Sequence, residues 1–229
     1  MNAIVENLDL FFRGFGYTVA LFVISGLLSL LLGTLLAAMR VGPIAVLRLA
    51  SSVYVTCVRN TPLVIVFAFF AFLAPVLGIH FKWLDVQVGD LNFTSFYGAA
   101  VVSLSLYTSA FVCEAMRSGV NAVPLGQAEA ARAIGLPFGG VMREVVLPQA
   151  FRAALPPLAS VQIALIKNTS VAAVFGVAEA TQSMRDLLRD FGATERIGIF
   201  AMFALGYVVL VELVSLLSLR LERRWAVAR

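Results

Sequence analysis

Charge is scarce in this chain. Asp, Glu, Lys and Arg make up 13% of its 229 residues, while 61% are hydrophobic and the mean hydropathy is +0.95. A soluble domain carries roughly 25% charged residues, so the chain reads as an integral membrane protein. Histidine and cysteine are nearly missing. His80 stands alone and cannot build a metal site, and Cys57 and Cys113 both fall inside apolar runs, where packing is expected rather than a disulfide or a metal. No basic stripe combines with exposed aromatics, which leaves no case for nucleic acid. There is no Gly-x-x-x-x-Gly-Lys-Ser/Thr loop for nucleotide, no His-Glu-x-x-His or Gly-x-Ser-x-Gly, and no histidine near Cys113, so no catalytic set can be assembled. Internal repeats, low-complexity stretches and a second domain are also lacking, and residues 1–229 are expected to form one membrane domain. The first apolar run is too long for a signal-peptide core, and no small-residue cleavage site follows it.

What the chain does have is long apolar runs. A membrane helix needs about 20 mainly apolar residues, and five segments qualify: Phe15 to Met39, Val53 to Gly78, Ser95 to Met116, Pro157 to Ala180, and Gly198 to Leu219. The expected fold is therefore all-α with five transmembrane helices. Cations orient it. With the N-terminus outside, the inner side receives Arg40, Arg48, Arg117, Arg132, Arg143, Arg152, Arg220, Arg223, Arg224 and Arg229. The outer side receives Arg13, Lys82, Arg185, Arg189 and Arg196, set among Glu6, Asp9, Asp85, Asp90, Asp186, Asp190 and Glu195. The positive-inside rule then favours N-out and C-in. The loop His80 to Thr94, with Phe81, Trp83 and Phe93, reads as an outer interfacial cap, and the amphipathic stretch Thr181 to Arg196 as a second outer element.

The longest connection, Arg117 to Pro156, falls on the inner side. Pro124, Gly126, Gly135, Pro137, Gly139, Gly140 and Pro148 predict short pieces rather than one rod. Ala-rich Gln127 to Ile134 is a strong helix former, and Phe138 to Leu147 predicts a second short helix before a Pro-rich return to the membrane. Taken alone, this could be a mere connecting helix with a glycine break.

The spacing Glu129-Ala130-Ala131, Gly135, Val145, Leu147-Pro148 resembles the EAA loop of binding-protein-dependent ABC importer permeases, with Val145 where the family has Ile. Arg59-Asn60-Thr61-Pro62 resembles the Arg-Gly-Thr-Pro run of polar amino-acid permeases. Glu114-Ala115-Met116-Arg117-Ser118-Gly119-Val120 resembles their Glu-x-x-Arg-Gly-Gly-Ile segment. Gln149 to Pro157 and Lys167-Asn168-Thr169-Ser170 match as well, with Asn168 where Asp is usual. The likeness runs from about Tyr54 onward. It implies a type I ABC importer permease fold in the bacterial cytoplasmic membrane, with the loop as a coupling helix. Glu129, Ala130, Ala131, Gly135, Leu147 and Pro148 would dock on a separate ATP-binding subunit that holds ATP and Mg, leaving no cofactor in this chain. It further implies a second permease subunit, like or unlike, and an extracytoplasmic binding protein.

Ionisable groups inside a span mark pathways or paired helices. Arg59 lies roughly 9 Å in from the inner boundary, level with Glu114, and the two can pair; a plain packing pair or a snorkelling Arg59 reads as well. Lys167 is expected near the midplane amid Gln162, Asn168, Thr169 and Ser170. With no acid beside it, it favours an anionic substrate, glutamate or aspartate, with glutamine next; a packing lysine bonded to backbone carbonyls is the other reading. Glu179 and Glu212 complicate this electrostatic reading, since the sequence fixes neither their depth nor their facing. Arg59, Asn60, Thr61, Glu114, Lys167, Asn168, Thr169 and Ser170 are the substrate-path candidates. Thr61-Pro62 is expected to kink span two. Tyr107, Thr108 and Ser109 either line the path or glue helices, and Phe67, Phe69, Phe70 and Phe72 read as filler. A secondary transporter would show repeats with paired broken helices, and a cationic amino acid would call for carboxylates at this depth.

Overall fold

The computed structural model describes residues 7–82, 85–89 and 91–225, excepting the side chain of Trp225. Trp83, Glu6, Asp90 and Arg229, used above for the cap and the charge count, lie outside the described residues. The helices are α1 (Leu8–Val41), α2 (Ala45–Asn60), α3 (Leu63–Val76), α4 (Ser95–Asn121), α5 (Leu125–Ala133), α6 (Phe138–Phe175), α7 (Ala180–Asp190) and α8 (Ala193–Trp225). A hairpin, β1 (Val86–Val88) and β2 (Leu91–Phe93), precedes α4, so the fold is helical with one small antiparallel sheet rather than purely α.

Four helices, α1, α4, α6 and α8, are each long and apolar enough to cross a membrane. The second expected span is instead two helices, α2 and α3, meeting at 104°. Pro62 has no N–H to continue the ladder and pushes Thr61 out of helical geometry; Thr61 is extended at ψ 130°. Its hydroxyl turns back to donate to the Cys57 carbonyl at 2.8 Å and closes the end of α2. The kink expected at Thr61-Pro62 is thus a full corner.

The other prolines do not break their helices. A π-helical stretch, Phe69–Leu73, leads into Pro75, and another, Val141–Val146, leads into Pro148. The wider turn spares the carbonyl four residues back from the ring. The two pieces expected around Phe138 to Leu147 and Pro157 to Ala180 are therefore one helix, α6, which passes through Pro148, Pro156 and Pro157. It ends at Phe175, earlier than expected, where Gly176 takes φ +74°.

Helix α4 is the hub. It packs most extensively on α1 and α6, and small residues allow this. The buried face of α1 steps by four through Tyr17, Leu21, Ser25, Ser29, Gly33 and Ala37. A Cβ on Gly33 would lie 2.5 Å from the Val112 Cβ of α4. On the opposite face Leu27, Leu31 and Leu35 are exposed, as a lipid-facing stripe must be. Tyr17, Leu21, Phe67, Tyr97, Leu104 and Leu165 form the main core, and Phe67 stacks on Phe175 at 5.3 Å. Phe67 is thus buried filler, while Phe72 is exposed.

The molecule has two ends. The start of α1, the hairpin, α7 and the start of α8 gather at one. There the Tyr17 hydroxyl donates to the Asn92 carbonyl at 3.1 Å, and Gly14 lies against Ser183 and Ala180. The other end holds the close of α1 and α4 together with α5.

Candidate functional site

Three groups of polar residues stand out against this apolar frame. The first is α5, where Pro124 begins the helix and Gly135 ends it. Gly135 has φ +92°, a left-handed conformation that only glycine adopts freely. Its N–H bonds the Arg132 carbonyl and the Leu136 N–H the Ala131 carbonyl, a Schellman close. Beneath, Ala131 packs on Val141 and Val146, so it serves the chain's own core. Ala130 and Glu129 lie outward and exposed, as do Leu147 and Pro148. Glu129 sits mid-helix, with its side chain free to face a partner rather than to cap α5. Leu125 (78% exposed), Ile134 (81%) and Phe138 (61%) stand in the open around it, an apolar rim on a polar handle. Gln149 donates to the Gln127 side chain and fastens α5 to α6.

The second group surrounds Glu114. Its carboxylate lies 3.7 Å from Arg59 and 3.4 Å from Arg117, and it accepts from Arg40. The expected Arg59–Glu114 pair is present. Arg40, which sequence reading counted only as an end-of-span charge, completes a set of three guanidiniums on one carboxylate. They come from α1, α2 and α4, so the cluster ties the close of three helices together and keeps a surplus of positive charge. Arg59 also lies over the Phe111 ring, 5.6 Å from its centroid. Asn60 is exposed at the corner.

The third is a groove of about 340 Å³ between α4 and α6. Tyr107, Thr108, Phe111, Ser160, Val161, Ala164 and Asn168 line it. Thr108 is buried, yet its Oγ1 has no hydrogen-bond partner. Ser109 instead turns to Tyr54 and the Leu106 carbonyl, gluing α2 to α4. Of the four α6 candidates, Asn168 alone lines the groove. Thr169 is fully buried and donates to the Ile166 carbonyl at 2.6 Å, and Ser170 donates to the Lys167 carbonyl at 2.6 Å. Lys167 is exposed beside Asn168. About 12 Å of helix separates it from the end of α6. Phe111 and Ser160 were missed because an apolar ring and a lone serine carry no signal until two helices face each other.

Residues 13–227 match the family model described as the binding-protein-dependent transport system inner membrane component. The glutamate transport system permease protein GluC of Corynebacterium efficiens is 43% identical, over 94% of this chain and 93% of its own length. The arginine transport system permease protein ArtQ of Bacillus subtilis is 30% identical, over 97% and 95%. A solved amino acid ABC transporter with histidines superposes with a TM-score of 0.83 at 28% identity, covering 96% of each chain. An EAA segment of the kind seen in α5 is typical of such permeases. This chain, multi-pass in the bacterial inner membrane, belongs to the binding-protein-dependent ABC importer permeases.

Proposed function

We propose that this permease carries a dicarboxylic amino acid, glutamate or aspartate, through the groove between α4 and α6. One observation supports this above the rest. The described lining of the groove holds no carboxylate, and the ionised groups beside it are the cations Arg59 and Lys167, Glu114 being outnumbered by its three arginines. A cationic side chain would find no partner there. Two relatives at 41–43% identity bear the name glutamate transport system permease, although the arginine permease lies within the same family. Tyr107, Thr108, Ser160 and Asn168 offer neutral hydrogen-bonding groups for the ends of the substrate, with Phe111 and Val161 against its methylenes.

In this reading the whole chain is one permease domain with five spans, the bent α2–α3 pair counting as the second. The N-terminus and the hairpin face outward, and α5 faces the cytoplasm. There Glu129, Ala130, Gly135, Leu147 and Pro148 present the exposed handle to a separate ATP-binding subunit, which holds ATP and Mg, while Ala131 supports it from below. A second permease chain closes the path and a binding protein delivers substrate at the hairpin end.

Competition uptake into proteoliposomes holding the complete complex tests the substrate. Aspartate should displace labelled glutamate, while arginine and histidine should not; preferential displacement by arginine or histidine sinks the reading. Asn168→Asp adds a negative charge to the groove. At a few ångströms, like charges cost about 1–4 kcal/mol, so glutamate KM should rise at least about fivefold.

A further inference from the structure

Glu179 is fully buried, and neither the handle nor the groove uses it. It caps the start of α7, accepting from the Gln182 N–H at 3.0 Å through Oε1. Its Oε2 accepts from the Tyr207 hydroxyl of α8 at 2.6 Å and from the Thr18 hydroxyl of α1 at 3.3 Å. One carboxyl group thus joins three elements at the hairpin end. No cation lies within ion-pair distance among the described residues. On α1, Arg13 pairs with Asp9. On α7, Arg189 pairs with Asp186, and Arg185 donates to the Ala173 carbonyl. On α8, Arg196 donates to the Phe191 carbonyl and Glu212 is exposed, while Glu195 lies about 18 Å along the helix from Tyr207.

The surroundings can also accept a proton on Glu179 without rearranging. The Thr18 hydroxyl lies within reach of a second acceptor, the Gly14 carbonyl at 3.2 Å, and takes a bond from the Ala180 N–H. With Glu179 ionised, Thr18 donates to it. With Glu179 protonated, Thr18 turns its hydrogen to Gly14 and receives the carboxyl proton instead. Gln182 stays bonded in both states, and Tyr207 keeps Thr181 as a neighbour at 3.0 Å.

We propose that Glu179 is a proton-linked latch, which holds α7 against α1 and α8 when protonated and yields when the proton leaves. Burial pushes the Glu179 carboxyl above the usual carboxylate range, against the opposing pull of its hydrogen bonds. A carboxyl with a raised pKa binds its proton more tightly packed than exposed. Packing of α7 is then strongest below the ordinary glutamate range and weakens as pH rises through the raised value. Resting on the orientation proposed above, the latch answers to pH on the side where substrate arrives.

Two measurements on the complete complex test it. Hydrogen exchange of the α7 amides, corrected for intrinsic rates, should quicken by up to about tenfold per pH unit between the free and buried pKa. Glu179→Gln keeps both hydrogen-bonding ends but has no proton to lose, and should abolish that dependence. Tyr207→Phe removes a donor to the ionised form and should shift the transition to higher pH. In proteoliposomes, ATP-driven uptake should rise with pH on the hairpin side in the native complex and be flat in Glu179→Gln. An α7 exchange profile without pH dependence, or one that Glu179→Gln leaves unchanged, overturns the latch. If Glu179→Gln fails to assemble, the native exchange profile and the direction of the Tyr207→Phe shift decide. Uptake that follows pH on the opposite side refutes the orientation, and absent uptake refutes the transport reading; the exchange data still judge the latch.

Discussion

A single carboxylate facing three guanidiniums holds together the close of α1, α2 and α4, so Glu114 matters more than any of its partners. Losing one arginine leaves two; losing the carboxylate leaves three cations facing one another. Hydrogen bonds to charged groups contribute about 1.5–3 kcal/mol each. Glu114→Ala should therefore lower the unfolding temperature of the purified complex by several degrees, and Arg117→Ala by much less. Equal shifts would mean that the cluster is a set of independent surface pairs. The Arg59–Glu114 half of this arrangement was legible in the sequence, because two intramembrane charges of opposite sign at similar depth need one another. Arg40 was not: at the end of a span an arginine has water as an alternative, and nothing local tells which it takes. Lys167 illustrates the converse. Its lack of an acidic neighbour could be read directly, but the end of its helix could not, since α6 stops where Gly176 adopts a left-handed turn.

Among the elements, α5 is the clearest product of local sequence: a proline before it, alanines within it, a glycine after it. That chemistry made it readable from one segment. The long α6 was misread for a related reason. Proline is a helix breaker only where the backbone cannot adjust, and before Pro148 it adjusts through a π-helical turn whose Val141 and Val146 pack on Ala131, contacts that the sequence does not advertise. The same logic predicts how α5 can be damaged. Gly135→Val forces a β-branched residue into a left-handed conformation, at about 1–2 kcal/mol or more, although open space surrounds it. Glu129→Lys reverses an exposed charge and strains nothing. Both should cut ATP-driven uptake by more than about tenfold while circular dichroism and thermal unfolding of the permease change little for Glu129→Lys. Undiminished uptake in both variants would remove α5 from the coupling role.

For the whole molecule, apolar run length located α1, α4 and α8 to within about two turns at each end, while α6 begins far ahead of its expected start and the corner at Thr61-Pro62 divides the second span. The distribution of cations supplied a direction, and it can be checked in cells. In a cysteine-free background, Gln87→Cys in the hairpin should react with an impermeant maleimide from outside, and Gln127→Cys in α5 only after lysis; the reverse pattern inverts the molecule. One property of α6 then gains mechanical meaning. Its 38 residues run without a gap from just beyond α5 to just before Glu179, a path of about 55 Å. A tilt of about 10° at one end displaces the other by roughly 10 Å over that length. Under the proposed coupling, α6 would act as the crank: a push on the handle would arrive at the far end as a swing of the segment beside the proposed latch.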